Sequence, residues 1–330
     1  MAQDVVLKLD VYDKKILLRL YRNSRESTTS IGRHVHLRRE NVDYRIKKLQ
    51  NLGMIKEYNT YFNEMLLDLK RGVFLVQLIN LRGETEIEIM NFLKKHHGTT
   101  WIGPTAGKWS IIFDVVIKND KKFTEVMKNF FTKYEKNIGE YIFISVEESE
   151  VFFQKIFSDV DYSQKKIQKK TKNKKLVLDD IDWKILRELN NDARISYAIL
   201  SSKIKLTANA IKKRIKLLEN SGIIENYTIS LDFRKLGYDW YTLNLNLTKF
   251  DDDTEKRLKM FFKEHKKVIF YCRDNGAWEY DVGIFAKNSD ELRVFINELR
   301  SKFSEEIKIR DVFVTLEEVK GYKLPYGVFE

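Results

Sequence analysis

The stretch that decides the fold is Leu178-Asp179-Asp180-Ile181-Asp182-Trp183-Lys184-Ile185-Leu186. A similar stretch lies 169 positions before it: Leu9-Asp10-Val11-Tyr12-Asp13-Lys14-Lys15-Ile16-Leu17. The same offset continues without a gap through the pairs Arg25/Arg194, Ser27/Ser196, Leu37/Leu206, Gly53/Gly222 and Tyr58/Tyr227. Such self-similarity indicates one structural plan used twice. A chain of 330 residues is long enough for two units of ordinary domain size.

The composition is that of a basic globular protein. Hydrophobic residues at 43% and aromatic residues at 13% are sufficient for buried cores, and a net charge of +12 favours an anionic partner. Cys272 is the only cysteine, which excludes a disulfide framework and a cysteine-rich metal site. The five histidines lack the companions of a metal site. We therefore predict no metal, no cofactor and no catalytic residue.

The chain contains no apolar run near the roughly 20 residues that span a bilayer. Its first residues have neither the basic start nor the apolar centre of a signal peptide. We expect a soluble, cytoplasmic protein.

The spacing of apolar residues in the first part of each copy predicts three short helices followed by a strand. The apolar positions of the third helix, which stop at Gly53 or Gly222, are Val42, Ile46 and Leu49 in copy 1 and Ile211, Ile215 and Leu218 in copy 2. The alternating stretches 55–61 and 224–229 predict a strand, or wing. This order is typical of a winged helix-turn-helix, whose third helix enters the major groove of DNA.

The remainder of each copy is predicted as strand, helix, strand, strand, helix, strand, with the last strands at 141–148 and 311–318. This βαββαβ order is ferredoxin-like: an antiparallel sheet with helices on one face, whose other face must find a partner. The predicted fold class is α+β, with two tandem copies of a winged helix-turn-helix followed by a ferredoxin-like domain. The predicted winged helix-turn-helix domains are 1–63 and 178–232, the ferredoxin-like domains are 64–157 and 233–330, and a lysine-rich linker occupies 158–177.

The linker has too dense a run of like charge to form a core. A solubilising linker and a segment that follows DNA phosphates are both compatible with it.

The third helix of copy 2 presents a polar, basic face opposite its apolar residues. Thr207 is a plausible N-cap, which directs the positive end of the helix dipole toward DNA. Asn209 suits adenine, and Lys216 suits the DNA backbone. The candidate DNA-binding residues of copy 2 are Thr207, Ala208, Asn209, Lys212, Lys213, Arg214 and Lys216.

The same face in copy 1 is mixed in sign, so the two heads are expected to read different bases. Arg38 or Arg39 suits guanine or a phosphate, and Lys47 suits the backbone. A basic helix face is also typical of a merely solvated surface, and helix-turn-helix folds also bind proteins. The duplicated arrangement on a basic chain favours DNA. The candidates of copy 1 are Arg38, Arg39, Glu40, Tyr44, Arg45 and Lys47.

These residues resemble the Lrp/AsnC, or feast/famine, family of prokaryotic regulators. The resemblance rests on 178–186, on Ala193-Arg194-Ile195-Ser196-Tyr197-Ala198, on the helix 206–219 and on the glycine turn Gly276-Ala277-Trp278-Glu279-Tyr280-Asp281, and is strongest to archaeal members with two units in one polypeptide. It implies a sequence-specific DNA-binding transcriptional regulator whose ferredoxin-like modules pair sheet to sheet. We expect an internal pseudo-dimer that can assemble further into homo-oligomers.

Two departures from the family pattern concern the DNA heads. His36 and Lys205 replace the usual glycine of the helix-turn-helix turn, and a positive φ at such a residue costs on the order of 1 kcal/mol. Arg38 replaces the Ser/Thr cap, so the copy 1 head is the less typical one.

The resemblance also implies a small-molecule effector such as an amino acid, bound near the glycine turn. The candidate effector-binding residues are Arg273, Asp274, Asn275, Gly276 and Gly107. A tight hairpin turn with Trp109 and Trp278 packed in the sheet explains the same residues without a ligand.

Two other functions stay open. Siroheme decarboxylases share this two-domain plan, but their chemistry needs histidine and tyrosine beside a tetrapyrrole pocket, and the matching strand at 268–273 has no histidine. A non-specific architectural DNA-binding protein is compatible with the charge and the linker.

Overall fold

The computed structural model describes residues 6–118, 120–157, 159–160 and 176–329. Most of the lysine-rich linker therefore lies outside the described residues. In copy 1 the elements are α1 (Val11–Arg22), α2 (Thr28–Val35), α3 (Arg39–Asn51), β1 (Ile55–Phe62), β2 (Lys70–Leu78), α4 (Thr85–Lys95), β3 (Thr99–Ala106), β4 (Ile111–Ile117), α5 (Asp120–Lys133) and β5 (Ile138–Val151). In copy 2 they are α6 (Asp180–Asn191), α7 (Tyr197–Ile204), α8 (Ala208–Asn220), β6 (Ile224–Leu231), β7 (Asp239–Leu247), α9 (Asp252–Glu264), β8 (Val268–Asn275), β9 (Tyr280–Ala286), α10 (Ser289–Phe303) and β10 (Ile307–Thr315).

The predicted fold class is confirmed, because each copy has three helices and a wing followed by βαββαβ. The last strands differ in extent from the prediction. β5 is longer because it pairs with β8 as far as Val151 opposite Phe270. β10 begins earlier because its pairing with β7 starts at Ile307, ahead of a bulge between Ile309 and Asp311.

The chain divides into two compact units, and each unit draws on both copies. The head unit contains the described parts of 8–69, 159–232 and 322–329, and the barrel unit contains those of 6–7, 70–157 and 233–321.

The head unit is built around pairing of the two wings. β1 and β6 are antiparallel, with Tyr58 opposite Ile229, Asn59 opposite Thr228 and Thr60 opposite Tyr227. Asn59 and Thr228 occupy the same position in their respective copies, so a local pseudo-two-fold axis passes between them.

Residues 322–329, at the end of the predicted domain 233–330, belong to the head unit. The Asn190 side chain donates to the carbonyl of Leu324 at 2.8 Å and accepts from its N–H at 3.0 Å. Leu324 and Val328 are buried, at 2% and 1% exposure. The tail is attached to the heads because it supplies apolar side chains to their core.

The barrel unit is one closed eight-stranded barrel in the order β10-β3-β4-β2-β5-β8-β9-β7. Each copy contributes four adjacent strands, and the two sheets join at β5·β8 and at β10·β3. The helix-facing side of each sheet has its own apolar core. The opposite sides face the barrel interior, where Val73, Leu75, Ile144, Trp278 and Phe313 form a cluster with Trp109 and Ile112.

Each copy also reaches into the other after its last strand. The Lys155 ammonium donates to the carbonyls of Phe262 and His265 at 2.7 and 3.1 Å, at the C-terminal end of α9. Lys320 donates to the carbonyls of Lys94, in the last turn of α4, and of Thr99, at the start of β3, at 3.3 and 2.5 Å. Cations at helix C-termini satisfy carbonyls that lack helical partners. These two contacts reinforce the pairing of the copies.

Candidate nucleic-acid interface

The N-terminus of α8 is capped by Thr207 and exposed to solvent. Thr207 Oγ1 accepts from the N–H of Ala210 at 3.2 Å, as the sequence predicted for a Thr N-cap. Thr207, Ala208 and Asn209 are exposed. The first turn therefore offers backbone N–H groups and the positive helix end to an anion.

The rest of α8 separates an apolar face from a cationic one. Ile211 and Leu218 are 0% exposed and Ile215 is 1% exposed. The exposed cationic face consists of Lys212, Lys213 and Lys216. The helix has no carboxylate before Glu219, which accepts a hydrogen bond from the Tyr227 hydroxyl at 2.9 Å.

Arg214, a candidate DNA contact, has its side chain engaged with two aspartates of the same head. Its guanidinium binds the carboxylates of Asp179 and Asp182 at 2.9 and 2.8 Å. These two aspartates form the capping box that begins α6, and the hydrogen bond to Asp182 raises the pKa of Arg214. Arg214 therefore joins α8 to α6 and is a positioning residue.

Arg45 repeats this arrangement in copy 1. It binds Asp10 and Asp13, the capping box of α1, at 2.8 and 2.6 Å. In both copies the second aspartate and the arginine are 32 residues apart. This repeated spacing is the signal from which the ion pairs could have been predicted.

The exposed face of α3 is mixed in sign, as predicted. The N-cap residue Arg38 makes no side-chain capping bond. Arg39 pairs with Asp43 at 3.4 Å. Glu40 and Lys47 are exposed, and Tyr44 is 68% exposed.

The helix-turn-helix turns keep the left-handed backbone that the family achieves with glycine. His36 has φ 58° and Lys205 has φ 61°. Each turn therefore carries the strain of a side chain at positive φ.

The five candidate effector residues lie at the ends of two strands: Arg273, Asp274 and Asn275 end β8, Gly276 follows it, and Gly107 follows β3. Gly107 has φ 137° and lies against Phe313, whereas Gly276 lies against the backbone of residues 143–144. Arg273 is engaged with Glu255 at 3.1 Å, and Asn275 is exposed. These side chains do not converge on one pocket.

Asp274 points into the barrel interior and meets a second buried acid. It is 1% exposed, and neither carboxylate oxygen receives an N–H or O–H donor from a described residue. The group facing it is the carboxyl of Asp281, which also accepts from the Asn244 amide. Burial raises the pKa of Asp274 well above its usual range and that of Asp281 to about 6. The charges of Arg71 and Asp114 also act on Asp274.

The described residues form neither a metal-ligand cluster nor a membrane-spanning helix. No group of three or more His, Cys, Asp or Glu side chains there is arranged to hold a metal ion. No helix in that part of the chain has the length and apolar character to cross a membrane.

Comparison with known proteins identifies the family. A sequence model of the AsnC-type helix-turn-helix domain matches residues 9–50 and 178–219. The HTH-type transcriptional regulator LrpC of Bacillus subtilis is 35% identical over 120 residues, covering 36% of this chain and 82% of LrpC. The regulator LrpA of Pyrococcus horikoshii is 30% identical over 146 residues, covering 44% of this chain and 100% of LrpA.

The whole two-copy architecture also has a counterpart among solved structures. The siroheme decarboxylase NirDL matches with a TM-score of 0.61 over 96% of this chain and 94% of its own. At 10% identity this likeness concerns the fold alone. The duplicated AsnC-type domain and the matches to LrpC and LrpA carry the assignment: the chain belongs to the Lrp/AsnC family of helix-turn-helix DNA-binding transcriptional regulators and carries the family unit twice.

Proposed function

We propose that this protein is a sequence-specific DNA-binding regulator whose main DNA contact is α8. The observation that carries the proposal is the exposed cationic face of α8, next to a capped and open helix N-terminus. In this arrangement Asn209 reads a base edge, and Lys213 and Lys216 contact phosphates. Arg38, Arg39 and Lys47 make the corresponding contacts of the copy 1 head.

The test is neutralisation of the α8 face by the triple substitution K212Q/K213Q/K216Q. Each phosphate contact contributes about 0.9 to the slope of log affinity against log salt, so the slope should fall by up to roughly 2.7. Fluorescence anisotropy with a labelled duplex at several salt concentrations measures both affinity and slope. The control, K94Q/K95Q/K308Q, removes the same charge from exposed positions of the barrel unit. Unchanged duplex affinity of the α8 variant, or an equal loss in the control, contradicts the proposal.

The same assay separates a regulator from a non-specific architectural protein. A regulator binds a preferred site with additional affinity beyond its phosphate contacts, whereas an architectural protein has a similar affinity and slope on every sequence. Genome-wide footprinting identifies the preferred site.

We also propose a place for a small-molecule effector, inside the barrel at Asp274 and Asn244. Both side chains are buried, and the two Asp274 oxygens and Asn244 Oδ1 lack a donor among the described residues. A primary ammonium group has three N–H donors and a positive charge, so an amine such as an amino acid supplies donors to these acceptors and favours the ionised form of Asp274. Calorimetric titration with amino acids should give binding to the wild type and to Asn275→Ala, but not to Asp274→Asn. Equal binding by Asp274→Asn contradicts this site.

We propose that the protein acts without catalysing a reaction, as the strand β8 contains no histidine. Incubation with siroheme should leave its absorbance spectrum unchanged. Conversion of the tetrapyrrole supports the enzymatic alternative instead.

We further propose that the internal pairing of the copies replaces the dimer of single-unit relatives. The strand pairs β1·β6, β5·β8 and β10·β3 support this assignment. Light scattering of the intact chain on dilution should reach the mass of one chain, because its two ferredoxin-like modules pair with each other. A four-module particle that does not separate into single chains on dilution contradicts this assignment.

A further inference from the structure

The head unit has the geometry of a DNA-binding unit with local two-fold symmetry. Beyond the wing pairing, the N–H of Ser24 donates to the carbonyl of Tyr227 at 2.9 Å, and that of Ala193 donates to Tyr58 at 3.4 Å. These are the same contact made once from each copy. A two-fold arrangement of recognition helices requires half-sites in inverted orientation.

The chemistry of the two recognition helices does not follow this symmetry. Six exposed or half-exposed positions define the DNA-facing surface of each head, and the pairs, copy 1 first, are Arg38/Thr207, Arg39/Ala208, Glu40/Asn209, Asp43/Lys212, Tyr44/Lys213 and Lys47/Lys216. Only the last pair has the same residue. A symmetric operator presents identical groups to both heads, and these two surfaces cannot satisfy identical groups equally well.

The most informative difference is at the base-reading position. Asn209 has both a donor and an acceptor on its amide, which matches adenine, whereas Glu40 has only acceptors, which match the N4 amine of cytosine. Arg39 forms an ion pair with Asp43 of the same helix, whereas the side chain of Arg38 has no partner in α3. Arg38 suits the guanine of a C·G pair.

We infer that this protein binds an asymmetric operator, with an adenine-containing half-site under α8 and a C·G-containing half-site in inverted orientation under α3, and that it binds in a single orientation. The inference rests on the proposed function. A single chain carrying two unlike heads is free to do this, whereas a homodimer presents the same helix twice.

The first experiment compares three duplexes after the preferred site has been selected from a random library with the full-length protein. One duplex carries the selected site, and the other two carry either half-site twice, inverted. The selected site should bind at least about ten-fold more tightly than either symmetric version, since each good base contact is worth roughly that much or more. Equal binding of a symmetric duplex overturns the inference and leaves the proposed function intact. Absence of any sequence preference overturns the proposed function itself.

The second experiment determines orientation by cleavage. Asn51→Cys and Asn220→Cys stand at equivalent positions at the ends of α3 and α8, and Cys272→Ser removes the natural thiol. An iron-chelate cleavage reagent attached to position 220 should cut one half of the selected site, and the same reagent at position 51 should cut the other half. Cleavage of both halves by each conjugate overturns the single orientation.

A conversion variant provides the positive control. Replacing the surface of the copy 1 head with that of copy 2, by R38T/R39A/E40N/D43K/Y44K, should shift the preference to the duplex with two α8 half-sites. The new Thr supplies a capping oxygen that Arg38 lacks, so the helix is expected to fold. Retention of the original preference contradicts the assignment of bases to these residues.

Discussion

Replacing the buried acid Asp281 by asparagine should stabilise the barrel at alkaline pH. The carboxyl lies against Asp274 and accepts from Asn244, and Asp281 is buried, at 8% exposure. Asparagine has nearly the same shape. Its carbonyl oxygen can accept the Asn244 hydrogen bond, while its NH₂ group can donate to Asp274.

The magnitude follows from the pKa of Asp281, which burial raises from 3.8 to about 6. A raised pKa means that the folded state holds the proton more tightly than the unfolded state. The contribution of Asp281 to the free energy of unfolding is therefore favourable below about pH 4 and is lost as the pH rises through about 6. At 1.36 kcal/mol for each pKa unit, the ionised carboxylate costs about 3 kcal/mol above pH 7. Asp281→Asn should recover most of this and flatten the pH dependence between 4 and 6.

Calorimetric or urea unfolding at pH 4, 6 and 8 measures the effect. In a unit of this size each kcal/mol changes the melting temperature by roughly 2–4 °C. The matched control is Asp251→Asn, where a hydrogen bond from the Thr254 backbone lowers the pKa of a partly exposed N-cap aspartate. That substitution should be slightly destabilising at pH 8. If Asp281→Asn lowers the unfolding free energy equally at pH 4 and pH 8, the carboxylate is not an electrostatic cost and the reasoning is wrong.

Three further predictions concern individual side chains. Arg214→Met should lower the unfolding free energy by about 1 kcal/mol and leave the salt slope of DNA binding unchanged; a reduced slope would identify it as a phosphate contact. Thr207→Ala should cost about 1 kcal/mol in urea unfolding, whereas Arg38→Ala, which removes no capping bond, should cost almost nothing. Equal costs would contradict the capping assignment. Gly283→Ala should destabilise the barrel by about 1–3 kcal/mol, because its Cβ would lie 1.9 Å from an aromatic ring, whereas Gly83→Ala meets nothing within 4 Å. A thermal melt in which both alanine variants match the wild type would refute this.

Much of the fold was predictable because the local signals occur twice. The capping aspartates, the serine N-caps and the glycines after α3 and α8 mark helix ends in both copies at one offset. The periodicity of Ile211, Ile215 and Leu218 correctly placed the exposed face of α8. Ends of elements that depend on a partner strand, such as Val151 of β5, were not predictable from local pattern.

The candidate site residues also divide into those whose placement follows from local pattern and those whose placement depends on another part of the fold. Exposure of the lysines of α8 follows from helical geometry, but the engagement of Arg214 depends on a capping box in another helix. Sequence comparison of the copies also gives no warning of the buried acids. Thr105 and Ile112 occupy the copy 1 positions of Asp274 and Asp281, so the repeat is broken inside the barrel. The β8·β9 hairpin brings these acids together, and their burial depends on closure of the barrel by the other copy.

The strand pairings that cross between the copies also set the smallest piece of this protein that can be studied alone. A polypeptide cut after the first repeat leaves the wing β1 without its partner β6, and it leaves β3 and β5 paired on one side only, which exposes hydrogen-bonding edges on all three strands. Such a fragment regains its missing neighbours only by associating with another half. Experiments on one head at a time therefore require point substitutions in the intact chain, because truncation removes the structural support of the head that remains.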